Sequence, residues 1–202
     1  MQFELRCCKL GEHDFAVGLE TLALRISEAN YPFVLVNYDF GGTVLEGKIK
    51  PYIVQEKAGL KIGVFGLGIE PGNIPFAEKN KIRYMPPMPV SINVSASLKK
   101  DERCDMVICL SHLGYEYQHE KISDKILAAQ SENIDLIIGD HTHTFLEKPV
   151  KILNKNHEEV IINHAGWGGM NLACLNYRFH SKNSSNFFNA QSVILIKETI
   201  AK

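Results

Sequence analysis

The sequence predicts an α/β protein in which a largely parallel sheet is layered with helices, and three observations lead to this fold class. Apolar segments of strand length alternate with segments that repeat apolar residues at helical spacing, from Cys7 to Gly139. Beyond Gly139 only strand-like segments follow, which predicts a second sheet packed on the first. The composition, 45% hydrophobic and 22% charged, is typical of globular proteins. We therefore expect residues 1–202 to form one domain.

The first half of the chain is predicted to contain one helix among short strands. Apolar residues recur at helical spacing between Leu19 and Ala29, which predicts that helix. Pro32 ends it, and the β-branched and aromatic residues that follow favour a strand. Glycines within 39–50 indicate a hairpin or an excursion. The predicted strands of this half are 7–10, 33–36, 51–56 and 61–67, the last two joined by a turn at Gly59.

The second half begins with a proline-rich segment, 68–90, that is predicted to be a long loop bordering a site. The alternation of strand and helix then continues. Helices are predicted over 91–100 and 115–130, and strands over 104–110 and 134–139. The later predicted strands are 150–152, 159–163, 172–179 and 192–197, with a polar, solvated hairpin tip at 181–189.

Charge and hydropathy exclude several kinds of partner. The formal net charge is -1 and no basic stripe is interleaved with aromatic residues, so we expect a small-molecule partner and neither nucleic acid nor membrane. The apolar runs are far shorter than the roughly 20 residues of a membrane helix. No basic leader precedes an apolar core, so the chain as it stands is expected to be cytoplasmic. Five cysteines without a Cys-x-x-Cys pair suit reduced thiols, with Cys104, Cys109 and Cys174 in the core.

Histidines and acids follow three of the predicted strands at their carboxyl ends. Ligands bind at this edge of open α/β sheets, so we expect the side chains to converge. Imidazole is the commonest protein ligand for transition metals, and carboxylates add hard oxygen ligands. The pattern therefore predicts a metal site. Its candidate residues are Glu12 and His13 after the first strand, His112 after 104–110, and Asp140, His141 and His143 after 134–139.

The other four histidines lack this placement, and a lone histidine is most simply a surface residue or a satisfied core residue. We predict that role for His119, His157, His164 and His180.

Several segments carry motifs in a particular order. Gly11-Glu-His-Asp-Phe-Ala-Val-Gly18 is similar to a Gly-Asn-His-Glu-Phe-Asp-x-Gly motif. The later landmarks are Tyr31-Pro-Phe-Val-Leu-Val-Asn37, Lys61-Ile-Gly-Val-Phe-Gly66, Leu110-Ser-His-Leu-Gly114, Gly139-Asp-His-Thr-His-Thr-Phe145 and Val160-Ile-Ile-Asn-His-Ala-Gly-Trp-Gly168. In order and spacing they resemble the 5'-nucleotidase branch of the calcineurin-like metallophosphoesterases, over about residues 5 to 180.

This resemblance implies a layered α-β-β-α metallophosphoesterase sandwich that hydrolyses a phosphate monoester such as a nucleoside 5'-phosphate. In that family two divalent metals, Zn, Mn, Mg or Fe, bind the phosphate and activate the attacking water. Carried over, His112 and His141 would bind one metal and His143 the other. Glu12 stands where an asparagine ligand is expected, and His13 matches the histidine that assists the transition state. The resemblance indicates no substrate-binding residues.

The sequence also departs from the family pattern. The Asp-x-His and Gly-Asp motifs normally precede the Gly-Asn-His-Glu segment, but only ten residues precede Gly11. We therefore expect an N-terminally truncated domain that lacks the first strands, with a possible partner chain completing the sheet. Ala16 replaces the aspartate that orients the assisting histidine. Because the bridging carboxylate is missing, one metal or none is expected, and the two-metal mechanism is expected to fail in this chain alone.

Two further hypotheses remain open at this point. One is a catalytically inactive metal- or phosphate-binding remnant, which the residues Glu12 and Ala16 favour. The other is a different ester substrate, because the same superfamily includes cyclic phosphodiesterases and thiosulfate-ester hydrolases. Full-length relatives are commonly periplasmic or exported.

Overall fold

A computed structural model describes residues 7–57, 59–70, 72, 81–180 and 184–194 of the chain. Its helices are a 3-10 helix over Glu12–Val17, α1 (Leu19–Glu28), α2 (Pro87–Lys100) and α3 (Asp124–Gln130). Its strands are β1 (Phe33–Val34), β2 (Tyr38–Asp39), β3 (Ile49–Lys50), β4 (Tyr52–Lys57), β5 (Leu60–Leu67), β6 (Arg83–Tyr84), β7 (Met106–Ser111), β8 (Leu136–Gly139), β9 (Val150–Leu153), β10 (Glu159–His164), β11 (Asn171–His180) and β12 (Ser184–Ile194).

A six-stranded sheet in the order β4-β5-β7-β8-β10-β9 forms the centre of the fold. Strands β5, β7, β8 and β10 are parallel, and β4 and β9 pair antiparallel at its two edges. The parallel strands are nearly continuous apolar runs because both faces of the sheet are covered. Their register aligns Leu67, Ser111, Gly139 and His164 in one row across the sheet. The loops after these residues therefore leave the sheet at the same edge.

The sheet lies between a helical layer and a β-hairpin. On one face, Val94 and Leu98 of α2 and Leu127 of α3 belong to the buried cluster that includes β5, β7, β8 and β10. On the other face, alternate residues of β11 pack against Ile62, Val64, Met106, Leu136 and Ile161. Strand β11 pairs with β12 in a separate two-stranded hairpin. The prediction that all strands beyond Gly139 form a second sheet was wrong for β9 and β10, because β10 pairs parallel with β8 and so joins both strands to the central sheet. These layers confirm the predicted α/β class.

A separate aromatic and aliphatic cluster anchors the segment that follows Gly11. Phe15, in the 3-10 helix, is fully buried and its ring stacks on Tyr38 at a centroid distance of 5.6 Å. Leu19 and Leu22 of α1 belong to the same buried cluster. Because Phe15 is fixed in this cluster, the first residue of the 3-10 helix, Glu12, has a defined position one turn away.

Several predicted boundaries were wrong for local reasons. The predicted strand 7–10 contains only one isolated bridge, between Cys8 and Phe33. The helix predicted to begin at 91 begins at Pro87, since proline is well suited to the first helical position. The helix predicted over 115–130 begins only at Asp124, because the Ser123 hydroxyl accepts a hydrogen bond from the Ile126 N–H and caps it there.

Three further predictions need correction or lie outside the described residues. The predicted polar tip 181–189 is strand from Ser184 onward. Residues 71 and 73–80 of the predicted loop, 181–183 of the tip and 195–197 of the last strand lie outside the described residues. Cys104 and Cys109 are buried as predicted, but Cys174 is exposed because it is on the outward face of β11. No helix in the described part of the chain is long and apolar enough to cross a bilayer.

Candidate metal site

Three polar segments meet at the edge of the sheet where β7 and β8 end. His112 directly follows β7, and its N–H donates to the Leu67 carbonyl at 2.8 Å. Asp140 and His141 follow β8, whose last residue, Gly139, is in register with Ser111 of β7. Glu12 approaches this edge from the start of the 3-10 helix. The three predicted loops therefore converge at this edge, and each contributes a side chain to the site.

Glu12, His112 and His141 form the centre of the site. One ligand atom from each lies within 4.8 Å of the other two. Glu12 and His112 are each 7% exposed, and His141 is half-buried. The Glu12 carboxylate contacts both rings, with Oε2 hydrogen-bonded to His112 Nε2 and Oε1 3.2 Å from His141 Nδ1. The two rings meet edge to face at a centroid distance of 5.0 Å.

The electrostatic environment favours the ligating forms of these groups. Burial raises the pKa of Glu12, but its own backbone N–H together with His112 and His141 lowers that pKa more, so the carboxylate is ionised. Burial lowers the pKa of His141, and Glu12 offsets this only in part. An ionised carboxylate and a neutral imidazole are the forms that bind metal ions.

Backbone geometry at the site is specialised. His141 has φ of 80° and His143 has φ of 52°, both in the left-handed region that residues other than glycine seldom adopt. Such conformations cost about 1–3 kcal/mol each and cluster at functional sites. Gly11 makes room for the site, because a Cβ there would lie 2.8 Å from His112 Nε2.

Lys9 is a member of the site that our reading of the sequence missed. Its ammonium lies 2.6 Å from His112 Nδ1 and 3.3 Å from Asp140 Oδ2, and its side chain is only 14% exposed. Hydrogen bonding to His112 and the nearby Lys9 charge hold the pKa of Asp140 well below its usual range, although burial opposes this. The signal in the sequence was a lysine placed within the apolar residues 7–10, just before Gly11.

Two other predicted site residues lie at the margin. The His13 side chain is 80% exposed, with Nε2 3.4 Å from Glu12 Oε1. His143 is exposed, its ring lies 5.8 Å from that of Trp167, and it does not belong to the group formed by Glu12, His112 and His141. The structure therefore brings His13 to the edge of the site and leaves His143 outside the central group.

A buried polar chain supports the site from within the sheet. Asp124, at the start of α3, is fully buried, and its Oδ1 accepts a hydrogen bond from the Ser111 hydroxyl. Its Oδ2 lies 2.7 Å from Nε2 of His164, which is 1% exposed. Gly139 makes this packing possible, because a Cβ there would collide with both Asp124 and His164. These hydrogen bonds link Ser111 and His164, the last residues of β7 and β10, beside His112.

The donor set fits a single metal ion. Two imidazole nitrogens and a carboxylate oxygen are a ligand combination typical of mononuclear zinc, manganese or iron sites. Within the described ranges, the three residues are the one such group of histidines, cysteines and acids close enough to share an ion.

Comparison with known proteins gives a consistent result. No protein-family model matches the chain. An apyrase from Tabanus yao is 30% identical over 169 residues, which cover 76% of this chain and 29% of the apyrase. A 5'-nucleotidase from Vibrio cholerae is 32% identical over 145 residues, 66% of this chain and 25% of the relative.

The fold is similar to that of a solved 5'-nucleotidase precursor. The crystal structure of a 5'-nucleotidase precursor from Thermus thermophilus matches with a TM-score of 0.82 at 23% identity, covering 94% of this chain and 38% of that one. This chain therefore spans between a quarter and two fifths of the length of these proteins.

Proposed function

This chain belongs to the 5'-nucleotidase branch of the calcineurin-like metallophosphoesterases, and we propose that it acts in metal-dependent hydrolysis of a phosphate monoester such as a nucleoside 5'-phosphate. One observation supports this above the others: Glu12, His112 and His141 place a carboxylate and two imidazoles within 4.8 Å of one another. The names of the relatives, apyrase and 5'-nucleotidase, support nucleotides as the substrate class.

The proposed roles follow from the chemistry of each side chain. Glu12, His112 and His141 would hold the ion, and the lowered pKa of His141 keeps its imidazole available as a ligand. A divalent ion bound there supplies a water of lowered pKa and neutralises charge on a phosphate. His13, exposed beside Glu12, is placed to donate a hydrogen bond to a phosphate oxygen or to the leaving group.

Phosphate release tests this proposal. The purified chain is incubated with manganese or zinc and either a nucleoside 5'-monophosphate or an aryl phosphate. His112→Ala and His141→Ala should each lower the rate by roughly 100-fold or more, since changes even beyond the direct ligands cost 10- to 100-fold in metal affinity or activity. His119→Ala is the matched control, because His119 is exposed and is not part of the ligand group. A rate that is indifferent to both ligand substitutions would refute the proposal.

The second candidate function is metal-dependent phosphate binding without turnover. The observation that favours it is the environment of His13, which is 80% exposed and whose neighbour Ala16 offers no carboxylate to orient the ring. Calorimetry separates the two candidates. Binding of zinc and phosphate with no phosphate release above the rate without enzyme supports this second function, and turnover lost in His112→Ala supports the first.

A further inference from the structure

The Lys9 ammonium lies inside the proposed metal site. It is within hydrogen-bonding distance of His112 Nδ1 at 2.6 Å and of Asp140 Oδ2 at 3.3 Å. A lysine side chain is rarely this buried unless its charge is paired, and here the Asp140 carboxylate is its partner. Lys9 therefore belongs to the charge arrangement of the site.

The hydrogen bonds of His112 make Lys9 and a metal ion competitors. An ammonium only donates, so in the tautomer that bonds Lys9, Nδ1 of His112 accepts and the ring proton is on Nε2, which donates to Glu12. If Nε2 binds a metal ion instead, the proton must move to Nδ1, where it can donate to Asp140 Oδ2 at 3.3 Å. The Lys9 ammonium must then lose its hydrogen bond to His112, and it keeps only its contact with Asp140.

The charges of the site show what the displaced ammonium can do. With neutral imidazoles, one positive charge on Lys9 and two negative charges on Glu12 and Asp140 give a net charge of -1. A divalent cation changes this net charge to +1, which attracts a phosphate anion. Without Lys9, the net charge of the site would be -2 in the absence of a divalent cation and 0 in its presence.

We propose that Lys9 is an internal cation that weakens metal binding by competing for His112 and, once released, strengthens the binding of a phosphate group. This inference rests on the proposed function and assigns the Lys9 ammonium as a positioning and phosphate-binding group. It predicts effects of opposite sign on metal and phosphate affinity. A purely structural lysine would change both affinities in the same direction.

The test is isothermal titration calorimetry on Lys9→Met, which retains most of the side-chain length and loses the charge. Manganese is titrated into metal-free protein, and inorganic phosphate is then titrated into manganese-loaded protein. A unit charge removed at contact distance is expected to change each affinity by about tenfold or more. Manganese should therefore bind about tenfold more tightly to Lys9→Met, and phosphate about tenfold more weakly. Lys100→Met, an exposed lysine at the end of α2, should leave both affinities unchanged.

The outcomes separate this inference from the proposed function. If wild type and Lys9→Met both fail to bind manganese, the proposed function and this inference fall together. If wild type binds manganese and Lys9→Met behaves like Lys100→Met, or binds manganese more weakly, only the Lys9 inference is overturned. Manganese binding by Lys9→Met but not by wild type would support the inference.

A second variant covers the case in which Lys9→Met does not fold, as judged by circular dichroism. Asp140→Asn removes the charge that neutralises Lys9 and raises the net charge of the site to 0. It should weaken manganese binding and tighten phosphate binding, each by about tenfold. A change of both affinities in the same direction, or no change, would overturn the inference.

Discussion

Replacing Asp124 with alanine tests the buried polar chain behind the site. Asp124 is fully buried and is bonded to the Ser111 hydroxyl and to His164 Nε2. The substitution leaves both partners buried without that acceptor, at a cost of about 1–3 kcal/mol for each. We therefore expect the free energy of unfolding to fall by about 2–6 kcal/mol in total.

This loss is measurable by thermal and urea denaturation. At about 2–4 °C per kcal/mol for a chain of this size, the melting temperature of Asp124→Ala should fall by roughly 4–24 °C. Asp124→Asn should lower the melting temperature less, because its amide oxygen can still accept a hydrogen bond from Ser111 and its NH2 group can donate to His164 Nε2. Glu116→Ala is the control, since its ion pair with Lys125 is on the surface and such pairs contribute about 0–1 kcal/mol. If Asp124→Ala melts within about 2 °C of Glu116→Ala, the hydrogen bonds of Asp124 to Ser111 and His164 do not stabilise the sheet edge.

Three further predictions concern the site and the cysteines. Gly11→Ala should weaken manganese binding by about tenfold, because a Cβ 2.8 Å from His112 Nε2 displaces the His112 ring. An unchanged manganese affinity in calorimetry would contradict this close approach of Gly11 to His112. The folded pKa of Asp140 is lowered, so its stabilisation is present above the unfolded pKa of about 3.9 and is lost as the pH falls through the folded pKa. Asp140→Asn should therefore lessen the fall in urea midpoint between about pH 5 and pH 3, and an equal fall in both proteins would refute this assignment. Iodoacetamide should modify exposed Cys174 before the other cysteines. Burial raises the pKa of Cys7 to about 11 and raises that of Cys109 well above its usual value, so these thiols react slowly. Mass spectrometry that finds Cys109 labelled first would contradict the packing.

The sequence predicted the parts of the fold that depend on local patterns. The apolar runs that became β5, β7 and β8 were identified because a buried parallel strand reads as continuous hydrophobic sequence. The convergence of Glu12, His112 and His141 was predicted because the carboxyl ends of parallel strands share one edge. Neither prediction required knowledge of side-chain contacts.

The missed features depend on tertiary contacts that periodicity does not report. Helical spacing over 115–130 did not reveal that Ser123 caps α3, so the helix was predicted too long. Lys9 was overlooked because its charge partner, Asp140, is 131 positions later in the chain. His143 shares the His-x-His pattern and a left-handed backbone conformation with His141, but its ring lies beside that of Trp167 and outside the group formed by Glu12, His112 and His141. A pattern of residue types indicates which side chains are candidates, and the tertiary fold decides which of them meet.

We propose that Glu12, His112 and His141 bind one divalent metal ion. The most direct measurement is an anomalous difference map from crystals grown with manganese. We predict a single strong peak in contact with a Glu12 oxygen and with one ring nitrogen each of His112 and His141. A map with no peak at these three residues, or with its strongest peak at another histidine such as His157, would contradict this metal site.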